Sequence, residues 1–128
     1  MEFPKDLKIL LAEDNKINQR LVSLIFRKLD VAFDIASNGQ EAVGMYHGKS
    51  YDLILMDLQM PVMDGLESSR RIRSFERESG NNHRSVIIAL SASESSDKIK
   101  QCFDAGMDDF MEKPFQADKL IELVVRFF

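Results

Sequence analysis

The chain has 128 residues, 45% hydrophobic and 30% charged, with six glycines and three prolines, a balance that suits a single compact domain and excludes collagenous or low-complexity chains. Seventeen Lys and Arg against 21 Asp and Glu leave a formal charge of -4, without the basic excess of nucleic-acid binders, so no direct nucleic-acid contact is expected. Cys102 is the single cysteine, and with no charged-then-apolar leader and no 18-residue apolar run the expected compartment is the cytoplasm, with no membrane insertion.

Strand-length apolar blocks recur along the chain at residues 8–12, 32–36, 53–56, 86–90 and 108–111. The first, third and fourth are nearly continuous hydrophobic runs, as in strands covered on both faces of a parallel sheet. Between them lie helix-length stretches. In residues 16–29, Ile17, Leu21, Leu24 and Ile25 recur at the spacing of an amphipathic helix. Residues 40–47 and 66–78 are weaker in pattern. Residues 98–105 carry Ile99, Cys102 and Phe103 on one face and precede Gly106, a residue type that closes helices in the left-handed conformation. Residues 117–127 place Leu120, Leu123, Val124 and Phe127 in register. Five alternations of strand and helix predict a doubly wound α/β fold, a five-stranded parallel sheet in a three-layer sandwich. The run Arg70-Arg71-Ile72-Arg73 reads as a solvated helix face, and His47 and His83 as surface residues.

Ligands of open parallel sheets bind beyond the carboxyl ends of the strands. There the sequence has Glu13 and Asp14 after the first block, Asp57 after the third, Ser91 after the fourth and Lys113 after the fifth. Three converging carboxylates raise one another's pKa values unless a cation neutralises them. Oxygen ligands select a hard ion, and a few carboxylates completed by water and phosphate suit Mg²⁺. An EF-hand is excluded, because Lys16 falls at a ligand position. Mg²⁺, a carboxylate, a lysine and a hydroxyl make up the inventory for phosphoryl transfer onto Asp57, with Lys113 balancing oxygen charge and Ser91 donating a hydrogen bond.

The motifs LAEDN at 11–15, MDLQMPVMDG at 56–65, Ser91-Ala92 and KPF at 113–115 resemble the receiver domain of two-component response regulators, over a core of about residues 8–127. The resemblance implies a flavodoxin-like (βα)5 fold and a phosphoacceptor, Asp57, charged from a phosphohistidine on a sensor histidine kinase or histidine phosphotransfer protein. It implies Asp14, Asp57 and the carbonyl of Gln59 as Mg²⁺ ligands, with Glu13 acting through water, and Lys113-Pro114 as a cis peptide. Ser91 and Phe110 become the switch pair, and Gln59 and Ser93 tune the lifetime of the phosphoryl group. Such a domain catalyses its own phosphorylation and dephosphorylation without being a conventional enzyme, and controls a downstream protein target as a monomer or weak dimer. The motif forms look most like receivers of hybrid sensor histidine kinases or phosphorelays, and residues 1–128 are expected to hold one receiver and no output domain. A receiver-like interaction module that is never phosphorylated is the alternative. An aspartyl-nucleophile phosphatase is a weaker one, since it wants a carboxylate two residues beyond the nucleophile, where Gln59 stands.

Apolar residues cover a wide arc of the first helix, more than one core-facing stripe needs. Val22 and Phe26 are expected toward its exposed edge, where a phosphohistidine-bearing helical bundle would dock.

Overall fold

Why the strands form is plain from their composition: β1 (Ile9–Ala12), β3 (Leu53–Asp57) and β4 (Val86–Ser91) are rich in Ile and Leu and almost wholly buried. The computed structural model describes residues 6–80, 83–92, 95–113 and 116–128. Its remaining elements are α1 (Lys16–Lys28), β2 (Asp34–Ala36), α2 (Gly39–Gly48), α3 (Gly65–Ser79), α4 (Ser96–Asp104), β5 (Asp109–Glu112) and α5 (Ala117–Phe127). The strands form one parallel sheet in the order β2-β1-β3-β4-β5. The doubly wound fold expected from the alternation is therefore the one observed.

Period-two alternation sorts the strand side chains onto two cores. Ile9, Leu11, Leu53, Leu55, Ile88 and Leu90 meet Val22, Ile25 and Phe26 of α1 and Leu120, Leu123 and Val124 of α5. On the other face, Leu10, Ala12, Ile54, Met56, Ile87 and Ala89 meet α2, α3 and α4 through Ala42, Tyr46, Ile72 and Cys102. Two helices on one face and three on the other complete the sandwich.

Helix starts follow from side-chain caps. Asn15, Asn38, Asp64 and Ser95 each accept the backbone N–H three residues on, satisfying donors that the helix leaves free. At their far ends, Gly80 and Gly106 take positive φ as α3 and α4 give way to turns.

The face of α1 is a correction. Val22 and Phe26, expected at an exposed edge, are buried, whereas Ile17 (78% exposed), Leu21 and Leu24 face outward. The core stripe runs through Gln19, Val22, Ile25 and Phe26. Gln19 disguised it: the amide is buried because its Nε2 donates to the Glu13 carbonyl at 2.6 Å, which leaves a polar residue inside the apolar stripe.

A second correction concerns Arg73, which is buried rather than part of a solvated basic face. Arg70 and Arg71 do pair with Glu67 on the surface. Smaller differences lie at strand starts. β2 begins at Asp34, two residues later than expected, after Asp30 turns the chain with φ 57 and Phe33 packs its ring against Phe26. β5 begins at Asp109 because the Asp108 carboxylate is engaged by Arg73 and by the Ile87 N–H.

Candidate functional site

The sheet order reverses between β1 and β3, and the crevice at the carboxyl ends of these strands is where an α/β sheet binds ligands. A pocket of about 260 Å³ opens there, lined by Glu13, Asp14, Asp57, Ser91 and Lys113 among others. The five residues singled out at strand ends thus meet in one place.

Backbone ties hold them. Glu13 N–H donates to the Ala36 carbonyl at 3.0 Å, fixing the end of β1 against β2. Lys113 N–H donates to the Ser91 carbonyl at 2.8 Å, setting the lysine beside the end of β4. Gly65 N–H closes onto the Leu58 carbonyl at 3.1 Å, and a Cβ at Gly65 would collide with the Asp57 carbonyl oxygen, so only glycine permits this return of the chain. Gly39 does the same from α2: its N–H donates to the Met63 carbonyl at 3.0 Å, with no room for a side chain.

Electrostatically the pocket is unbalanced. One oxygen each from Glu13, Asp14 and Asp57 lie within 4.8 Å of one another. Lys113 Nζ stands 3.1 Å from Asp57 Oδ2 and 3.2 Å from Glu13 Oε1. Glu13 is fully buried, and its Oε1, although beside that ammonium, has no hydrogen bond among the described residues. Burial first, and then the neighbouring Asp57, push the Glu13 carboxyl up to about 7. Burial alone would lower the Lys113 pKa, but the adjacent Asp57 and Glu13 carboxylates outweigh it and hold the ammonium above its ordinary value. A buried carboxylate oxygen lacking a hydrogen bond, beside two further carboxylates, is a donor set matched to a hard divalent cation.

Gln59 is exposed at the pocket's edge, its N–H donating to Asp57 Oδ1 at 3.3 Å. Phe110 is not in the pocket. It sits on β5 opposite Ala89, half-buried against the α2, α3 and α4 core, and lines a separate groove between β5 and α5. Ser93 and Pro114 lie outside the described residues. The sequence reading missed Asn15, Asn18 and Lys98, which also line the pocket. Helix geometry could have suggested Asn18, one turn beyond the Asn15 cap on the end of α1 nearest the strands.

A doubly wound sheet with a carboxylate-rich pocket at its switch point places a donor set suited to a hard cation where α/β domains bind their ligands. Residues 9–125 match the response regulator receiver domain, and the chain belongs to that family, one of signalling domains rather than classical enzymes. It is 43% identical to hybrid signal transduction histidine kinase K of Dictyostelium discoideum, over 92% of this chain but only 10% of that protein. The receiver domain of Saccharomyces cerevisiae Ssk1, solved in complex with the histidine phosphotransfer protein Ypd1, superposes with TM-score 0.90 at 34% identity, covering 98% of this chain and 90% of that one. The receiver of the Pseudomonas aeruginosa sensor kinase PA1611, solved with magnesium in its active-site cleft, has TM-score 0.83 and 36% identity, covering 94% and 95%. No helix among the described residues is long and apolar enough to cross a membrane.

Proposed function

We propose that this receiver domain accepts a phosphoryl group on Asp57 from a phosphohistidine of a partner protein. The observation that carries the reading is the convergence of Glu13, Asp14 and Asp57 within 4.8 Å, with Lys113 held on Asp57 at 3.1 Å. Asp57 is the nucleophile: an Oδ lone pair forms the new P–O bond as the P–N bond to the imidazole breaks, and that nitrogen keeps the electron pair. Lys113 offsets charge on the transferred oxygens, and the Ser91 hydroxyl donates to the product. Asp14, Asp57 and the Gln59 carbonyl would hold Mg²⁺, with Glu13 acting through water. Once bound, the ion would supply positive charge where phosphoryl oxygens gather. The same pocket hydrolyses the acyl phosphate, with Gln59 and Ser93 as the residues expected to tune its lifetime. Phosphorylation replaces the single charge of the Asp57 carboxylate by a phosphoryl group carrying about -1.5 to -2 and three strong acceptor oxygens, which draws Ser91 inward and lets Phe110 follow, presenting a changed surface to a downstream protein.

The partner docks beside the pocket. Ile17, Leu21 and Leu24 form an outward apolar strip on α1, the helix whose first residues border the acidic cluster. A histidine phosphotransfer protein, the kind of partner with which the Ssk1 receiver was solved, is the occupant this strip would take. The test is labelling by acetyl phosphate and Mg²⁺, read by intact mass. One adduct is expected on the wild type and none on Asp57→Asn; labelling that never appears, or that survives the substitution, refutes the assignment. Leu24→Asp should slow transfer from a histidine phosphotransfer protein while leaving acetyl phosphate labelling at the wild-type rate.

A further inference from the structure

Two ammonium groups border the acidic pocket, and they are employed differently. Lys113 is engaged by Glu13 and Asp57. Lys98, in the first turn of α4, lines the same pocket and also the adjoining cleft formed with Asp14, Met60, Pro61 and Asp64. It is half-buried, yet its side chain makes no ion pair or hydrogen bond among the described residues. Lys100, two positions on, shows the ordinary alternative by pairing with Asp104 at 3.2 Å. What fixes Lys98 is its backbone, whose N–H is capped by the Ser95 hydroxyl.

Resting on the phosphoacceptor reading, we propose that Lys98 is a specificity-determining residue that favours strongly anionic phosphodonors at this pocket. Three carboxylates against Lys113 leave an excess of negative charge that a bound Mg²⁺ would only neutralise, not reverse. A second cation at the mouth would turn the loaded pocket net positive and raise the local concentration of anions, as charged clefts do for their substrates. The same charge opposes entry of a divalent cation. Removing it therefore moves two observables in opposite directions, which a loss of structure would not do.

The experiment compares wild type, Lys98→Ala and Lys98→Arg at constant ionic strength and saturating Mg²⁺, following initial labelling rates by intact mass. Mg²⁺ affinity is measured separately by titration calorimetry without donor. Lys98→Ala should label roughly 3- to 10-fold more slowly with acetyl phosphate, lose less with the less highly charged phosphoramidate, and bind Mg²⁺ a few-fold more tightly. Lys98→Arg should behave as wild type. The rate difference should shrink in 0.5 M salt, where the screening length is well below the roughly 10 Å of 0.1 M salt. Equal labelling by Lys98→Ala and wild type, or a parallel loss of rate and Mg²⁺ affinity, overturns the proposal. A wild type that does not label refutes the phosphoacceptor reading, and the role of Lys98 with it; a wild type that labels at Asp57 with an indifferent Lys98 refutes only the latter.

Discussion

Buried charge is gathered at both ends of the sheet, and the two clusters are built on opposite principles. At the amino ends of β4 and β5, every group has a partner. Arg73 donates to the Gly106 and Ser85 carbonyls and to the Glu76 and Asp108 carboxylates, all within 2.7–2.9 Å. Glu76 in turn accepts from Tyr46 Oη at 2.5 Å and from the Ser85 N–H and hydroxyl at 2.8 and 2.9 Å. At the carboxyl ends, three carboxylates gather within 4.8 Å, Lys113 pairs with Glu13 and Asp57, and Glu13 Oε1 is buried without a hydrogen bond among the described residues. A satisfied buried network holds one conformation, whereas an unsatisfied one stores free energy that a ligand can release. Stability resides at the first pole and reactivity at the second.

The largest effect is expected from breaking the satisfied pole. Arg73→Ala strands Glu76 and Asp108 without their cation and should cost about 3–5 kcal/mol in urea unfolding, while folded molecules still label at Asp57. Acid should attack the same pole next. Burial would raise the Glu76 carboxyl, but hydrogen bonds from Tyr46, Ser85 and Arg73 more than offset it and hold it below the ordinary 4.5. Its contribution is thus fully present above the unfolded carboxylate pKa and is lost as pH falls through the lower folded value. Glu76→Gln should lower neutral-pH stability by about 1–3 kcal/mol and flatten the acid limb of a stability–pH curve.

The reactive pole should respond with the reverse sign. Asp57→Asn removes a repelling charge and should raise stability by about 0.5–2 kcal/mol. Millimolar Mg²⁺ should raise the thermal midpoint of the wild type and leave that of Asp57→Asn nearly unmoved; equal Mg²⁺ responses would end the contrast. The smallest change is expected at Val62, an exposed β-branched residue at φ 70 in the loop following β3. Val62→Gly relieves that backbone while giving the unfolded chain more freedom, and the two terms should leave a net gain under about 1 kcal/mol.

The reactive pole was legible in the sequence because each of its groups directly follows an apolar strand, and chain order alone brings parallel strand ends together. The satisfied pole was not. Arg73 looked like one member of a basic run, and its partners at Gly106 and Asp108 are 33 and 35 residues away. The face of α1 failed for a different reason. Two apolar stripes compete there, and hydropathy favours Ile17, Leu21 and Leu24 until the Gln19 amide is known to have a buried acceptor. Strand starts slipped beside a carboxylate, Asp34 or Asp108, that is held in a side-chain contact invisible to hydropathy.

The Arg73 network also joins distant parts of the chain. Gly106 and Asp108 lie 33 and 35 residues beyond the arginine, and contacts at that separation must meet a loop-closure cost before they stabilise anything, so we expect them to form late. Contacts made late in folding act chiefly as brakes on unfolding. Arg73 then serves as a latch on the finished domain: its loss should shorten the native lifetime far more than it slows refolding.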